Sequence, residues 1–272
     1  MTALSEVLWS PKEKRDEADF ISRLELFLNW LSSKNYTFHI PSAQGIYPSM
    51  LFLDSAKVDM ASPWPFASVH YTLDGSEPNA KSPMHTAPFF ISKSAVLKTV
   101  VYMADGKHGL IKTSRFEKAE PISAFDVDTT VLQPGLNYAY FEAEVNRAAK
   151  LSGTKPTAVG TVATIEFPKE ARNGVFGMIY GGYFYAPETD VYTFALTSDD
   201  GSQFFIGDQL LIDHDSYHGP EAKFQPIALK KGYYPIVVSY FDGGGGYTLK
   251  LEVKQGDKPM SVIPENQFFH LK

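Results

Sequence analysis

The sequence predicts a mainly β protein: a short N-terminal helical segment followed by two β-sandwich domains, the first small and immunoglobulin-like, the second larger. Three observations predict it. The 20 Gly and 18 Pro punctuate short apolar runs, the signature of strands joined by turns. Within those runs large apolar residues alternate with smaller or polar ones, as in Tyr192-Thr193-Phe194-Ala195-Leu196 and Tyr247-Thr248-Leu249-Lys250-Leu251, which suits strands with one buried face. The 272 residues suffice for two domains of roughly 100–150 residues each.

Residues 1–41 hold the one clear helical pattern. Phe20, Leu24, Phe27, Leu28 and Leu31 recur at helical spacing. Ser10, Pro11 and Glu13 read as an N-cap, a proline at the first helical position and a capping-box acid. Met1 to Trp9 reads as a preceding apolar turn or short helix. The apolar face needs a partner, either the next domain or a barrel that precedes the segment. Ser42 to Pro48 reads as a linker. Residues 46–118 then form the first sandwich, with strand-like runs Ser68–Leu73, Pro88–Ile91, Val96–Met103 and Leu110–Phe116, and with turns at Asp74-Gly75 and Asp105-Gly106.

Glu117 to Gly135 reads as a connector, and residues 132–272 form the second sandwich. Its predicted strands are Gly182–Ala186, Val191–Thr197, Gln203–Ile206, Gln209–Ile212, Tyr233–Phe241 and Tyr247–Val253. Asp199-Asp200-Gly201, Gly207-Asp208, His218-Gly219-Pro220, Lys231-Gly232 and Gly243–Gly246 separate them. The four glycines read as a hairpin turn and not as a phosphate loop, because no Lys-Ser/Thr follows and no helix opens after them.

Composition narrows the function classes. The formal charge of −6 and the lack of a Lys/Arg cluster argue against nucleic-acid binding. With no cysteine, disulfides, thiolate metal sites and thiol nucleophiles are excluded. No run approaches the ~20 apolar residues of a spanning helix. The N-terminus is amphipathic and charged, unlike a signal peptide, so the chain reads either as cytoplasmic or as a piece of a longer exported protein.

Three segments carry resemblances. Ala3-Leu4-Ser5-Glu6-Val7-Leu8-Trp9-Ser10-Pro11, followed by Lys-Glu and an Asp-Phe helix, resembles the end of the catalytic barrel of family-twenty glycoside hydrolases, the β-N-acetylhexosaminidases. Tyr71-Thr72-Leu73-Asp74-Gly75-Ser76-Glu77-Pro78 closely resembles the hallmark of the chitobiase/β-hexosaminidase C-terminal module. Gly182-Tyr183-Phe184-Tyr185-Ala186-Pro187, Ser198-Asp199-Asp200-Gly201-Ser202, His218-Gly219 and Tyr240-Phe241-Asp242-Gly243-Gly244 resemble the PA-fourteen β-sandwich named after anthrax protective antigen. Taken in this order, the resemblances imply the C-terminal part of a secreted, periplasmic or outer-surface β-N-acetylhexosaminidase acting on terminal GlcNAc or GalNAc. The implied partners are a GlcNAc- or GalNAc-containing glycan and the enzyme's own upstream catalytic domain.

The chain itself reads as non-catalytic. The acid pair of that enzyme family stands in an H-x-G-G-D-E motif, absent here. The neighbouring pair Asp16-Glu17 lies at a solvated helix start, Glu6 and Trp9 match barrel-end positions, and no G-x-S-x-G or H-E-x-x-H run occurs. The PA-fourteen resemblance implies a Ca²⁺ site at Asp199 and Asp200, because lectin-like members hold the ion on a paired-Asp loop and the ion coordinates sugar hydroxyls. Where those lectins commonly place an Asn on a second loop, this chain has Asp242 before the four glycines. The alternative is a turn without metal, in which Asp199 accepts turn amides and Asp200-Gly201 makes a hairpin. Asp213, His214, Asp215, Tyr217 and His218 form a polar cluster that is either a capped, solvated loop or a transition-metal site. Trp64, Tyr217 and Tyr247 sit in or beside Gly/Pro-rich loops, where aromatic faces can stack on pyranose rings, and His218 joins them as a candidate sugar contact.

Overall fold

Two helices open the chain, α1 at Thr2–Trp9 and α2 at Glu17–Ser33. The computed structural model describes residues 2–169, 171 and 174–272 and divides into two units, one ending at Lys118 and the other beginning at Ala119. Met1, with which the predicted first turn begins, lies outside the described residues.

The helix start differs from the one predicted. Ser10 does not cap a helix: its hydroxyl donates to Glu6 Oε1, and Pro11 leads only into a single 3₁₀ turn, Lys12–Lys14. A residue before proline is biased away from helical φ/ψ, so helix cannot run through Ser10. The second helix starts at Asp16, whose Oδ1 accepts from the Asp19 amide at 3.0 Å. Arg23 joins the two helices through Glu6 at 2.9 Å. Leu24 and Leu28 are buried, Phe20, Ile21 and Leu31 are partly so, and Phe27 faces outward instead of joining that stripe.

The first unit has six strands: β1 (Ser49–Phe52), β2 (Ala56–Val58), β3 (Ala67–Thr72), β4 (Phe89–Ile91), β5 (Ala95–Met103) and β6 (Lys112–Lys118). They form a four-stranded sheet in the order β1-β6-β5-β3, with β1 parallel to β6, and a two-stranded sheet of β2 and β4. The core gathers Val58, Val69, Ile91, Leu97, Val101 and Phe116, and Leu24 and Leu28 of α2 belong to the same cluster. The helical segment therefore packs with the first sandwich rather than standing as a separate domain. The Asp74-Gly75 turn forms as predicted: Asp74 Oδ1 accepts from the Ser76 amide and Gly75 adopts φ +80°.

In the second unit the strands are β7 (Leu132–Pro134), β8 (Leu136–Phe141), β9 (Ala158–Val162), β10 (Phe176–Ala186), β11 (Asp190–Asp199) and β12 (Ser202–Ile206). After them come β13 (Gln209–His214), β14 (Glu221–Leu229), β15 (Gly232–Asp242), β16 (Thr248–Gln255), β17 (Ser261–Val262) and β18 (Phe268–Leu271). One sheet runs β13-β12-β15-β10-β18-β7, with β8 and β9 extending from β10; the facing sheet runs β14-β11-β16-β17. Within the stretch read as a connector, Glu117 to Gly135, residues pack on this unit: Ile122 bridges Leu229 and Phe125 bridges Tyr233.

The inner faces follow the period of two. On β11 the inward row is Tyr192, Phe194, Leu196 and Ser198, and on β15 it is Tyr234, Ile236, Val238, Tyr240 and Asp242. Six connections cross between the sheets, three at each of two ends. Asp199-Asp200-Gly201 carries the chain from β11 in one sheet to β12 in the other, so it is a crossing and not a hairpin. Gly243–Gly246 is likewise a crossing, because β15 and β16 belong to opposite sheets.

If α2 belongs to the first core, Leu28→Ala lowers the stability of the first unit by about 2–4 kcal/mol, the range for a buried leucine. Two-transition urea melts would show the first transition shifted and the second unmoved; an unshifted first transition would refute the packing.

Candidate functional site

The inner core of the second unit turns polar at one end. Past the apolar inward rows stand Ser198, Asp200, Ser202, His214, Asp215 and Asp242, all buried. Ser198 and Ser202 share a hydroxyl hydrogen bond of 2.7 Å. Three inter-sheet crossings meet here: 199–201, 215–220 and 243–247.

Asp200 holds the three together. Its Oδ1 accepts from the His218 amide at 3.1 Å, and its Oδ2 accepts from the Gly243 amide at 2.8 Å. The sequence suggested that Asp199 would accept amides within its own turn; instead Asp200 accepts from two other loops. The Asp199-Asp200 peptide is cis. The backbone carbonyl of Asp199 accepts from the Tyr240 hydroxyl. Glycine is required twice for close approach. A Cβ on Gly201 would lie 2.4 Å from the Phe241 ring, and a Cβ on Gly243 would lie 2.3 Å from the Tyr217 ring.

Asp242 continues the inward row of β15 by one position too many for an apolar core. It is 1% exposed, its Oδ1 accepts from the Gly244 amide at 3.0 Å, and its Oδ2 is buried with no partner. Burial pushes its carboxyl above the usual carboxylate range, and the negative charges of Asp200 and Asp199 add to the rise. Burial, then the charges of Asp242, Asp199 and Asp200, also raises the neighbouring Tyr240 phenol.

Not every predicted site residue gathers here. Trp64 is 9% exposed, belongs to the first unit's core and stacks on Phe66 at 5.5 Å, so it offers no open face to a sugar. Tyr217 is 61% exposed and stands edge-on to Phe241 above Gly243. Tyr247 is partly exposed but packs edge-on against Phe167 and Phe176. Asp215 serves structure: its Oδ1 and Oδ2 accept from the Ala148 and Ala149 amides at the start of the 3₁₀ helix Ala148–Gly153, and its carbonyl accepts from Arg147. Asp213 Oδ1 accepts from the Asp215 amide. His214 and His218 stack at 3.6 Å. Sequence reading missed Glu221, whose Oε2 lies 3.5 Å from His214 Nε2. Its place three residues after His218 was the available signal. Among the described residues, His214, His218 and Glu221 are the triad whose ligand atoms all lie within 4.8 Å of one another.

The model of the PA14 domain matches residues 132–267, and that of the chitobiase/beta-hexosaminidase C-terminal domain matches residues 44–113. A Porphyromonas gingivalis protein described as Beta-hexosaminidase is 29% identical over 251 residues, covering 87% of this chain. The match takes in 31% of that relative, so the chain spans about a third of its length. The resemblances read from the sequence to the hexosaminidase C-terminal module and to the PA-fourteen sandwich are thus borne out, as is the mainly β fold. Among solved structures, the PA14 domain of the MpAFP antifreeze protein is 19% identical with a TM-score of 0.44, covering 56% of this chain and 96% of its own. The Epithelial Adhesin 9 A domain from Candida glabrata, in complex with Galβ1-4GlcNAc, is 12% identical with a TM-score of 0.43, again covering 56% and 96%.

The buried Asp242 carboxyl sets a pH dependence. Its folded pKa lies above the ordinary 3.8, so the fold is penalised once pH exceeds the folded pKa, and the penalty fades as pH falls back towards 3.8. In chelator, Asp242→Asn is therefore expected to stabilise the second unit at pH 7. Thermal melts across pH would show that gain vanish in acid; a gain that does not change with pH would show that charge is not its cause.

Proposed function

This chain belongs to the PA14 domain family, and on that premise we propose that it is a non-catalytic accessory region that holds glycan for a β-N-acetylhexosaminidase. The carrying observation is the polar end of the second sandwich, where Asp200 and Asp242 are buried next to Asp199 and the exposed ring of Tyr217 stands over Gly243. The parent enzyme of the proposal removes terminal GlcNAc or GalNAc and is secreted, periplasmic or displayed on the outer surface. No described helix is long and apolar enough to cross a membrane.

The residues fit a Ca²⁺ ion. All three side chains are hard oxygen donors, and the buried, unpartnered Asp242 Oδ2 is an acceptor in search of a cation. Asp200 keeps lone pairs beyond the two amides it accepts, which aim its carboxylate. When bound, the ion supplies coordination to sugar hydroxyls and removes the repulsion among the carboxylates. The protein's own part is to fix the three loops, to exclude water with Phe241 and Tyr240, and to offer Tyr217 as a stacking face, with His218 and Tyr247 at the rim. Weak binding at one such site suffices, because tethering raises the effective concentration of substrate near a catalytic domain.

A second reading is structural, with both sandwiches supporting an upstream catalytic domain and binding nothing. The helices favour it: Trp9 is 87% exposed, and Leu4, Leu8, Leu26 and Trp30 are exposed with it.

Calorimetry on chelator-stripped protein is expected to show one Ca²⁺ bound, with binding abolished in Asp199→Ala and Asp242→Asn. A glycan array is expected to give Ca²⁺-dependent binding to GlcNAc- or GalNAc-bearing glycans that Tyr217→Ala weakens about tenfold, the scale of one lost stacking face. No bound glycan with or without Ca²⁺ would leave the structural reading standing. The chain alone is expected not to turn over a nitrophenyl-GlcNAc substrate.

A further inference from the structure

Beside the carboxylate cluster, the crossing between β13 and β14 brings together a second kind of donor set. His214 ends β13, His218 lies in the loop and Glu221 opens β14, so the three ligands come from eight consecutive residues, each fixed by its own backbone. His214 pairs with Ser202 across β12, Glu221 pairs with Ser198 across β11, and the His218 amide is held by Asp200. One ring nitrogen of each histidine and one carboxylate oxygen of Glu221 lie within 4.8 Å of one another.

The histidines carry marks of a coordination site. His214 Nδ1 is buried with no hydrogen-bond partner, while its Nε2 faces Glu221 at 3.5 Å. Both His218 ring nitrogens face backbone carbonyls, Nδ1 at 2.7 Å from Gly219 O and Nε2 at 3.2 Å from His214 O. A metal takes the neutral imidazole, which has only one N–H, and in that form one of those nitrogens meets a carbonyl with lone pair against lone pair. A cation at that nitrogen relieves the conflict.

We infer that His214, His218 and Glu221 form a site for a borderline divalent transition metal, Zn²⁺ in the first place. Two imidazoles and a carboxylate are the ligand types such an ion takes, and the exposed side of Glu221 leaves a fourth position for water. The rings now lie parallel, 12° apart, and parallel lone pairs do not converge. Metal entry therefore turns His218 out of the stack and away from His214 O. The ion then clamps the 215–220 loop, the same loop whose His218 amide holds Asp200. The site differs from the carboxylate cluster in ligand chemistry and does not depend on it.

The test is thermal melting and calorimetry of the whole chain with Zn²⁺, after chelator stripping. One Zn²⁺ per chain is expected, with a rise in the melting temperature of the second unit of roughly 5 °C at saturating metal. His218→Ala and Glu221→Gln, both shown to melt like the parent in chelator, are expected to lose the rise. Asp242→Asn, which removes a carboxylate from the neighbouring cluster, is expected to keep it. Co²⁺ in place of Zn²⁺ is expected to give a visible absorption band that His218→Ala removes. The inference is overturned if Zn²⁺ produces no shift, if the shift survives in His218→Ala or Glu221→Gln, or if it disappears in Asp242→Asn.

Discussion

Two hydrogen bonds from backbone amides to one buried carboxylate organise the end of the second sandwich. Asp200 takes the His218 and Gly243 amides at 3.1 and 2.8 Å, and with them it fixes the positions of two loops distant in sequence. Charge-assisted bonds of this kind are stronger than neutral ones, and here they are partly shielded from water. Loops that cross between sheets have no ladder of their own to hold them. A carboxylate that accepts from both neighbours replaces that ladder, and Gly201 and Gly243 let the three strands of chain come close enough to be joined. Tyr217, the exposed ring of the site, rests on Gly243 and so inherits its position from the same two bonds.

Much of this was legible in the sequence, because the strands obey the period of two. The inward row Tyr192, Phe194 and Leu196 of β11 could be written down from alternation alone, and the segment Ser198-Asp199-Asp200-Gly201-Ser202 was visible as the junction that follows it. Connectivity was not legible. An Asp-Gly pair and a run of four glycines are strong local turn signals, and a local signal does not say whether the next strand pairs with the last one or joins the opposite sheet. Nor could the role of each aspartate be read. Asp215 looks like a metal ligand beside two histidines, yet it caps the Ala148–Gly153 helix, whose sequence is about 65 residues away. Trp64 misled for a related reason: its flanking prolines signal a loop, and the loop folds inward so that the indole packs in the core. The Glu221 contact to His214 arises from the same register that pairs Glu221 with Ser198, and registers are fixed by the whole sheet.

The two ends of a single strand differ in how the fold satisfies the polar group that closes the core. β15 presents Tyr234, Ile236, Val238, Tyr240 and Asp242 to the core in succession. At the first end the Tyr234 hydroxyl sits 2.8 Å from both Ile122 O and Lys230 O, so the polar atom that closes the core is satisfied within the protein. Burial pushes its pKa up to about 12, and it stays neutral at any physiological pH. At the other end the closing residue is a carboxylate with one oxygen buried and unpartnered, beside two further aspartates. A hydroxyl would close this end as well as it closes the first, at no electrostatic cost. An ionisable group placed where the fold alone cannot satisfy it costs stability in the absence of a cation, and that cost is removed only when something positive arrives. The asymmetry within one strand is therefore a physical reason why the proposed cation site falls at Asp242 rather than at Tyr234.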